Sequence, residues 1–168
     1  KNVKERTLWT PTAGLTYGTI SGIKDVKYKL TGQWRELYKE NQINPIMRYD
    51  TDCFWGNWTI YKKPSALQNI HVVLTSQYIY KTLHENLKWF IWEPNVQTTH
   101  TSIKTSVSEF MGYLQNLGAL EWFTVNVTAS EYDKKNNRCS VTVRYKVVGV
   151  IEVIEVSLIV SNNSSPTS

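Results

Sequence analysis

The sequence predicts a single α+β domain, a mixed or antiparallel β-sheet packed with two main helices, with extended terminal arms. Three observations carry this reading. Apolar residues recur at helical intervals through two central segments, 65–89 and 102–120. From Phe123 onward the pattern switches to alternation, the period of a strand with one buried face. The chain has 168 residues, enough for one compact core and too few for two comfortable ones. Residues 1–12 read as an arm or linker, 13–161 as the domain and 162–168 as a polar tail that frays.

Each element has a local reason. Gly18 and Gly22 make 15–23 a short strand or turn, not a helix. Thr31-Gly32-Gln33 opens a short helix that carries Trp34, Leu37 and Tyr38, and Pro45 ends it. Residues 46–49 form a short strand. Residues 53–61 are aromatic and β-branched, a second strand with Gly56 as a bulge or close approach. After the loop 62–65, the first main helix aligns Val72, Ile79, Leu83, Leu87 and Phe90 on one face. Tyr78 and Tyr80 lie beside that face, and His84, Glu85 and Lys88 occupy the wetter side.

Trp92-Glu93-Pro94-Asn95 follows. Pro94 cannot continue a helix and pushes Glu93 toward extended geometry, so the tetrapeptide is a fixed corner between the two helices. The Glu93 carboxylate and the Asn95 amide are expected to hydrogen-bond nearby backbone. Ser102 is the expected N-cap of the second helix, whose stripe is Ile103, Val107, Phe110, Met111, Leu114 and Leu117, with Gly118 as its stop. Phe123, Val125 and Val127 then share one strand face. A polar hairpin connection at 133–138 leads to Val141, Val143, Tyr145 and Val147 on the return strand. The last strand, with Ile151, Val153, Ile154, Val156, Leu158 and Val160, is apolar on both faces. Such a strand needs cover on both sides. It lies in the middle of its own sheet or pairs with strands of a neighbouring copy.

The inventory of reactive groups is sparse. The formal net charge is +5, which suits nucleic acid or an acidic protein surface, but the lysines are scattered and form no long run. Seven Trp and ten Tyr hint at assembly surfaces, although aromatics also fill cores. Cys53 and Cys139 cannot make a disulfide framework and read as reduced core residues of an intracellular folding environment. The sequons at Asn57, Asn126 and Asn163 read as accidental in a chain rich in Asn and Thr. No signal peptide is visible, and the apolar stretch 147–160 is too short and too interrupted to span a membrane. The chain starts without Met and is expected to be the end of a larger polypeptide.

His71 and His84 lie thirteen apart with no ligand at i+3 or i+4, which argues against a metal site. His100, in the loop before the second helix, could help cap it, but a surface role is expected. Asp50 and Asp52 suit a turn, and Glu152 and Glu155 face opposite sides of a strand. Cys139 has no neighbouring base, and no glycine-rich phosphate loop is present. Alternation separates Tyr145 from Arg144 and Lys146, which counts against a single-stranded nucleic-acid platform. No catalytic, cofactor-binding or metal-binding residue is therefore assigned.

Several short motifs, in order, resemble the C-terminal domain of contractile phage tail sheath proteins of the myovirus type. Ala13-Gly14-Leu15 precedes a Gly-x-Ile-x-Gly element, Gly18-Thr19-Ile20-Ser21-Gly22. A short helix closes in Asn44-Pro45-Ile46, and Trp55-Gly56 follows in a strand. Asn69-Ile70-His71-Val72-Val73 opens the first helix, Trp92-Glu93-Pro94-Asn95 matches the family's Phe-Glu-Pro-Asn, and Gly118-Ala119-Leu120 closes the second helix. Leu74 and Thr75 stand where the family often has Arg.

The resemblance implies a non-enzymatic structural subunit that surrounds the tail tube and contracts to drive it through the host envelope. Copies are linked by strand exchange, with 151–160 as the candidate arm. It also implies no cofactor and no nucleic-acid or membrane partner. The implied partners are other sheath copies, the tail tube, baseplate and tail terminator. The implied location is the virion tail, assembled in the host cytoplasm. Lys81, Lys88 and Lys104 are the candidate tube contacts. The alternatives are a sheath subunit of a tailocin or other contractile injection system, and, in a different class, a small basic nucleic-acid-binding α+β domain.

Overall fold

The computed structural model describes residues 7–26, 32–48 and 51–152. In chain order they form α1 (Gly14–Tyr17), α2 (Gly32–Glu40), β1 (Ile46–Arg48), β2 (Asp52–Phe54), α3 (Ile70–Leu87), α4 (Gln97–Asn116), β3 (Leu120–Thr128), α5 (Glu131–Lys135) and β4 (Ser140–Val147). Two antiparallel pairs, β1–β2 and β3–β4, make two small sheets. The architecture is α+β, as the sequence predicts. Val153, Ile154, Val156, Leu158 and Val160 of the candidate arm lie outside the described residues, as do Asp50 and Glu155.

The core forms where the helical stripe of α4 meets the β3–β4 hairpin. Ile103, Val107, Met111 and Leu114 of α4 are buried with Leu120 and Val125 of β3 and Val147 of β4. Val72 and Ile79 bring α3 onto the same cluster, and the rings of Tyr78 and Phe110 meet across the two helices at 6.2 Å. In the hairpin, Phe123 lies opposite Tyr145, Val125 opposite Val143 and Val127 opposite Val141. The alternation read from the sequence is the alternation observed. A register irregularity between Leu120 and Trp122 lets the strand leave the helix stop and still face the core.

That stop is a full Schellman motif. Gly118 sits at φ +75°. Its N–H donates to Gln115 and the Ala119 N–H to Leu114, at 2.9 and 3.0 Å. Ala119 and Leu114 are both buried, the apolar contact that accompanies this geometry.

Five local expectations are corrected. Residues 14–17 are one helical turn, closed by the Gly18 N–H on the Gly14 carbonyl; only Thr19 bridges to a strand, at Cys53. The segment 65–89 is not one helix. A 3-10 turn at Ala66–Gln68 precedes α3, because Asn69 is extended and pairs with Trp58. α4 starts at Gln97, and Ser102 is not its cap; its hydroxyl donates back to the Thr98 carbonyl inside the helix. The 133–138 connection is part helical, since Ser130 and Asp133 form a capping box that nucleates α5. Cys139 is exposed, whereas Cys53 is buried as expected.

Candidate assembly site

Asn44-Pro45-Ile46 ties the first sheet to the start of α3. The Asn44 side chain pairs with Trp58 as a strand would: its Nδ2 donates to the Trp58 carbonyl at 2.7 Å, and its Oδ1 accepts the Trp58 N–H at 2.9 Å. The Pro45 carbonyl accepts from Trp55, and Ile46 opens β1 opposite Phe54. Gly56 is required here. A Cβ on it would lie 2.5 Å from Asn44 Oδ1 and 2.8 Å from the Trp58 ring. The strand reading of 53–61 therefore shortens to β2 plus a bridge at Trp58, while the close approach at Gly56 is observed.

The turn before this motif is also tightly fixed. Gln42 takes φ +57° at the end of α2, and its Nε2 donates to the Tyr61 carbonyl. Arg48 forks onto both oxygens of Asp52, at 2.7 and 2.8 Å, and reaches Asp25. The guanidinium holds the Asp52 carboxyl below its usual range.

Trp92-Glu93-Pro94-Asn95 is a corner between α3 and α4, as predicted, with a different set of bonds. Asn95 Nδ2 donates to the Arg138 carbonyl at 3.1 Å, 43 residues away, and Asn95 Oδ1 accepts from His100 Nε2 at 2.6 Å. His100 is therefore buried in the first turn of α4, not a surface residue. The signature asparagine pins the start of α4 to the chain entering β4. Pro94 and Glu93 are exposed, and the Glu93 carboxylate has no hydrogen-bond partner among the described residues. Trp92 is almost fully exposed at φ +77°.

After β4 the chain crosses from the hairpin to the first sheet, and three contacts fix its path. The Val148 N–H donates to the Ala119 carbonyl at 3.1 Å. His71 Nε2 lies 3.3 Å from the Val148 carbonyl, while its Nδ1 meets Asn57 Nδ2. Asn57 Nδ2 can only donate, so Nδ1 accepts and Nε2 carries the proton. Burial pushes the His71 pKa below its ordinary value, with the bond to Val148 opposing the shift. Asn57 is itself buried, so its sequon is closed. Finally, Lys39 of α2 donates to Glu152 at 2.6 Å, which raises the lysine's pKa. Ile151 is exposed beside this pair. These contacts fix the root of the candidate arm.

The hairpin pairs β3 only with β4, so among the described residues each strand has an edge with no neighbouring strand. Lys81 and Lys104 are exposed on α3 and α4. Lys88 is exposed too, but it is paired with Glu85 at 2.7 Å. Among the described residues no group of three or more His, Cys, Asp or Glu could hold a metal ion, and no helix is long and apolar enough to cross a membrane.

The phage tail sheath C-terminal domain family matches residues 62–161, more than half of the chain. The chain belongs to that family. Every signature element downstream of residue 62 falls inside this tail sheath domain. The tail sheath protein of Vibrio phage KVP40 is 26% identical over 147 residues, covering 86% of this chain and 21% of that protein. The fold matches the helical sheath of the anti-feeding prophage in its contracted state, with TM-score 0.81, 21% identity and 93% of this chain covered. It also matches the sheath complex of an extracellular contractile injection system, PVC, in its contracted state, with TM-score 0.82, 18% identity and 92% covered. A chain of the anti-feeding prophage baseplate matches with TM-score 0.82, 20% identity and 94% covered. The domain spans 46% of each of these three structural relatives.

Proposed function

We propose that this domain is the self-associating part of a contractile tail sheath subunit that surrounds a tail tube and shortens to drive it through a host envelope. The observation that carries the reading is the β3–β4 hairpin: an eight-to-nine-residue antiparallel pair with an apolar face on α4 and no further strand on either edge among the described residues. Unpaired backbone along such edges is a template for strands of neighbouring copies. The doubly apolar 151–160 segment is the matching donor. Backbone pairing of this kind keeps copies attached while their bodies rotate, which a contracting lattice requires.

The work is mechanical, with no catalytic centre and no cofactor. Its partners are other copies of the subunit, the tail tube, the baseplate and the tail terminator. The tube contact has to release, which suits exposed polar groups such as Lys81 and Lys104 better than a buried apolar patch. The protein resides in the virion tail after assembly in the host cytoplasm; the same domain would serve equally in a tailocin or other injection machine. The test is self-association of the chain followed by electron microscopy. Regular polymers independent of nucleotide and metal support the reading, and salt-sensitive DNA retention in a gel shift without polymers supports the nucleic-acid alternative.

A further inference from the structure

Two features away from the β3–β4 edges are an exposed aromatic knob and an open, mostly apolar cleft. The first is a knob at the corner between α3 and α4. Trp89, Ile91 and Trp92 expose 85%, 60% and 98% of their surfaces. Trp92 occupies the left-handed region at φ +77°, a backbone conformation unfavourable to any residue with a Cβ. The corner around it is held firmly. The Ile91 N–H donates to the Lys88 carbonyl and the Glu93 N–H to the Phe90 carbonyl, while Asn95 fastens the next turn. An indole presented on a rigid corner loses little freedom on docking.

The second feature is a hole. An open cleft of about 230 Å³ lies between the first helical turn, the Trp-Gly strand and the chain leaving β4. Pro11, Ala13, Gly14, Trp55, Trp58 and Ile151 line it. It is smaller than the roughly 300–1,000 Å³ of sites for drug-sized ligands, and fits one large side chain. Its charged rim residue, Glu152, is already paired with Lys39.

We propose that Trp92 of one copy seats in this cleft on a second copy. The inference rests on the self-association reading and adds a second contact to it. Aromatic side chains bury about 150–250 Å² each, so knob and hole together fall short of the roughly 800 Å² per partner of a stable dimer. The contact therefore suits a repeated lattice and not a free-standing pair. Knob and hole are different surfaces, so the contact is head-to-tail, the kind that propagates into rings or helices. Tryptophan in a desolvated pocket is a common binding hot spot.

The test uses the full chain carrying Cys139→Ser, with Cys53 buried and left in place. Proteins bearing Glu93→Cys, an exposed neighbour that leaves the Trp92 indole in place, or Ala13→Cys are mixed and treated with a short bismaleimide. Cross-linked dimers in the mixture, and not in either protein alone, are the expected result. Glu93→Cys cross-linking to itself equally well overturns the head-to-tail contact. Polymers that form without the mixed cross-link overturn the contact and leave self-association standing; a chain that stays monomeric contradicts both. Trp92→Gly is the companion variant. It removes the knob and relaxes the backbone, so its melting temperature holds or rises while the apparent dissociation constant increases roughly thirtyfold. Unchanged association of Trp92→Gly contradicts the proposal.

Discussion

His71 holds Val148. Its Nε2–H points at the Val148 carbonyl from 3.3 Å, and its Nδ1 accepts from Asn57, so one buried ring joins α3, the Trp-Gly strand and the exit of β4. Only the neutral ring with its proton on Nε2 satisfies both neighbours. A second proton would set Nδ1–H against the Asn57 amide hydrogens.

This fixes a pH dependence. The folded pKa of His71 lies below its unfolded value, which is about 6.5. Between those two values the unfolded chain binds more protons, so stability is fully present above pH ~6.5 and declines as pH falls toward the folded pKa. Melting temperatures measured from pH 7.5 to 5 should fall, and His71→Gln, starting from a lower melting temperature, should flatten that slope. An equal slope in the variant would mean that other groups carry the effect.

Asn44→Ala removes two hydrogen bonds to the Trp58 backbone in a half-buried setting. Urea denaturation should show a loss of about 2–3 kcal/mol. Asn44→Asp should not rescue, because its carboxylate keeps the Trp58 N–H but faces the Trp58 carbonyl with an acceptor.

Gly118→Ala meets open space but places a Cβ at φ +75°. The expected cost is about 1–2 kcal/mol, with Gly118→Asn closer to wild type because Asn tolerates the left-handed region. An alanine variant as stable as wild type would show that the Schellman geometry is absent in solution.

Lys39→Ala tests the outermost clamp on the arm root. Both partners of the Lys39–Glu152 pair are substantially exposed, so global stability should change by no more than about 1 kcal/mol. Hydrogen exchange at 149–152 should nevertheless quicken, because opening that segment no longer breaks the ion pair. His71 variants should quicken it further.

How far the sequence foretold this depends on how local each cause is. The α4 stripe from Ile103 to Leu114, the Gly118 stop and the β3–β4 alternation follow from periodicity and one conformationally special residue and stand as read, whereas Leu117, the last residue of the expected stripe, caps the helix and is exposed. The start of α4 leaves no periodic trace, because its first turn, from Gln97 to His100, shows no apolar repeat; a bond from His100 to Asn95 secures it instead. The break before α3 comes from Asn69 pairing with Trp58, eleven residues earlier. The α5 turn did have a local signal, the Ser130-x-x-Asp133 capping box, hidden in a stretch polar enough to pass for a loop. The His71 network was illegible, since its partners lie 14 and 77 residues away. The family motifs identify positions, and the structure supplies their reasons: Asn44 substitutes for a strand, Asn95 pins a helix start, and Trp92 faces outward.

The central claim is that copies of this domain associate through the segment that leaves Val148. Sedimentation and negative-stain electron microscopy of the chain, with and without residues 151–160, test it most directly. The account predicts regular polymers from the intact chain, and a monomer with unchanged near-UV circular dichroism from the shortened one. Polymers of the same form from the shortened chain would contradict it.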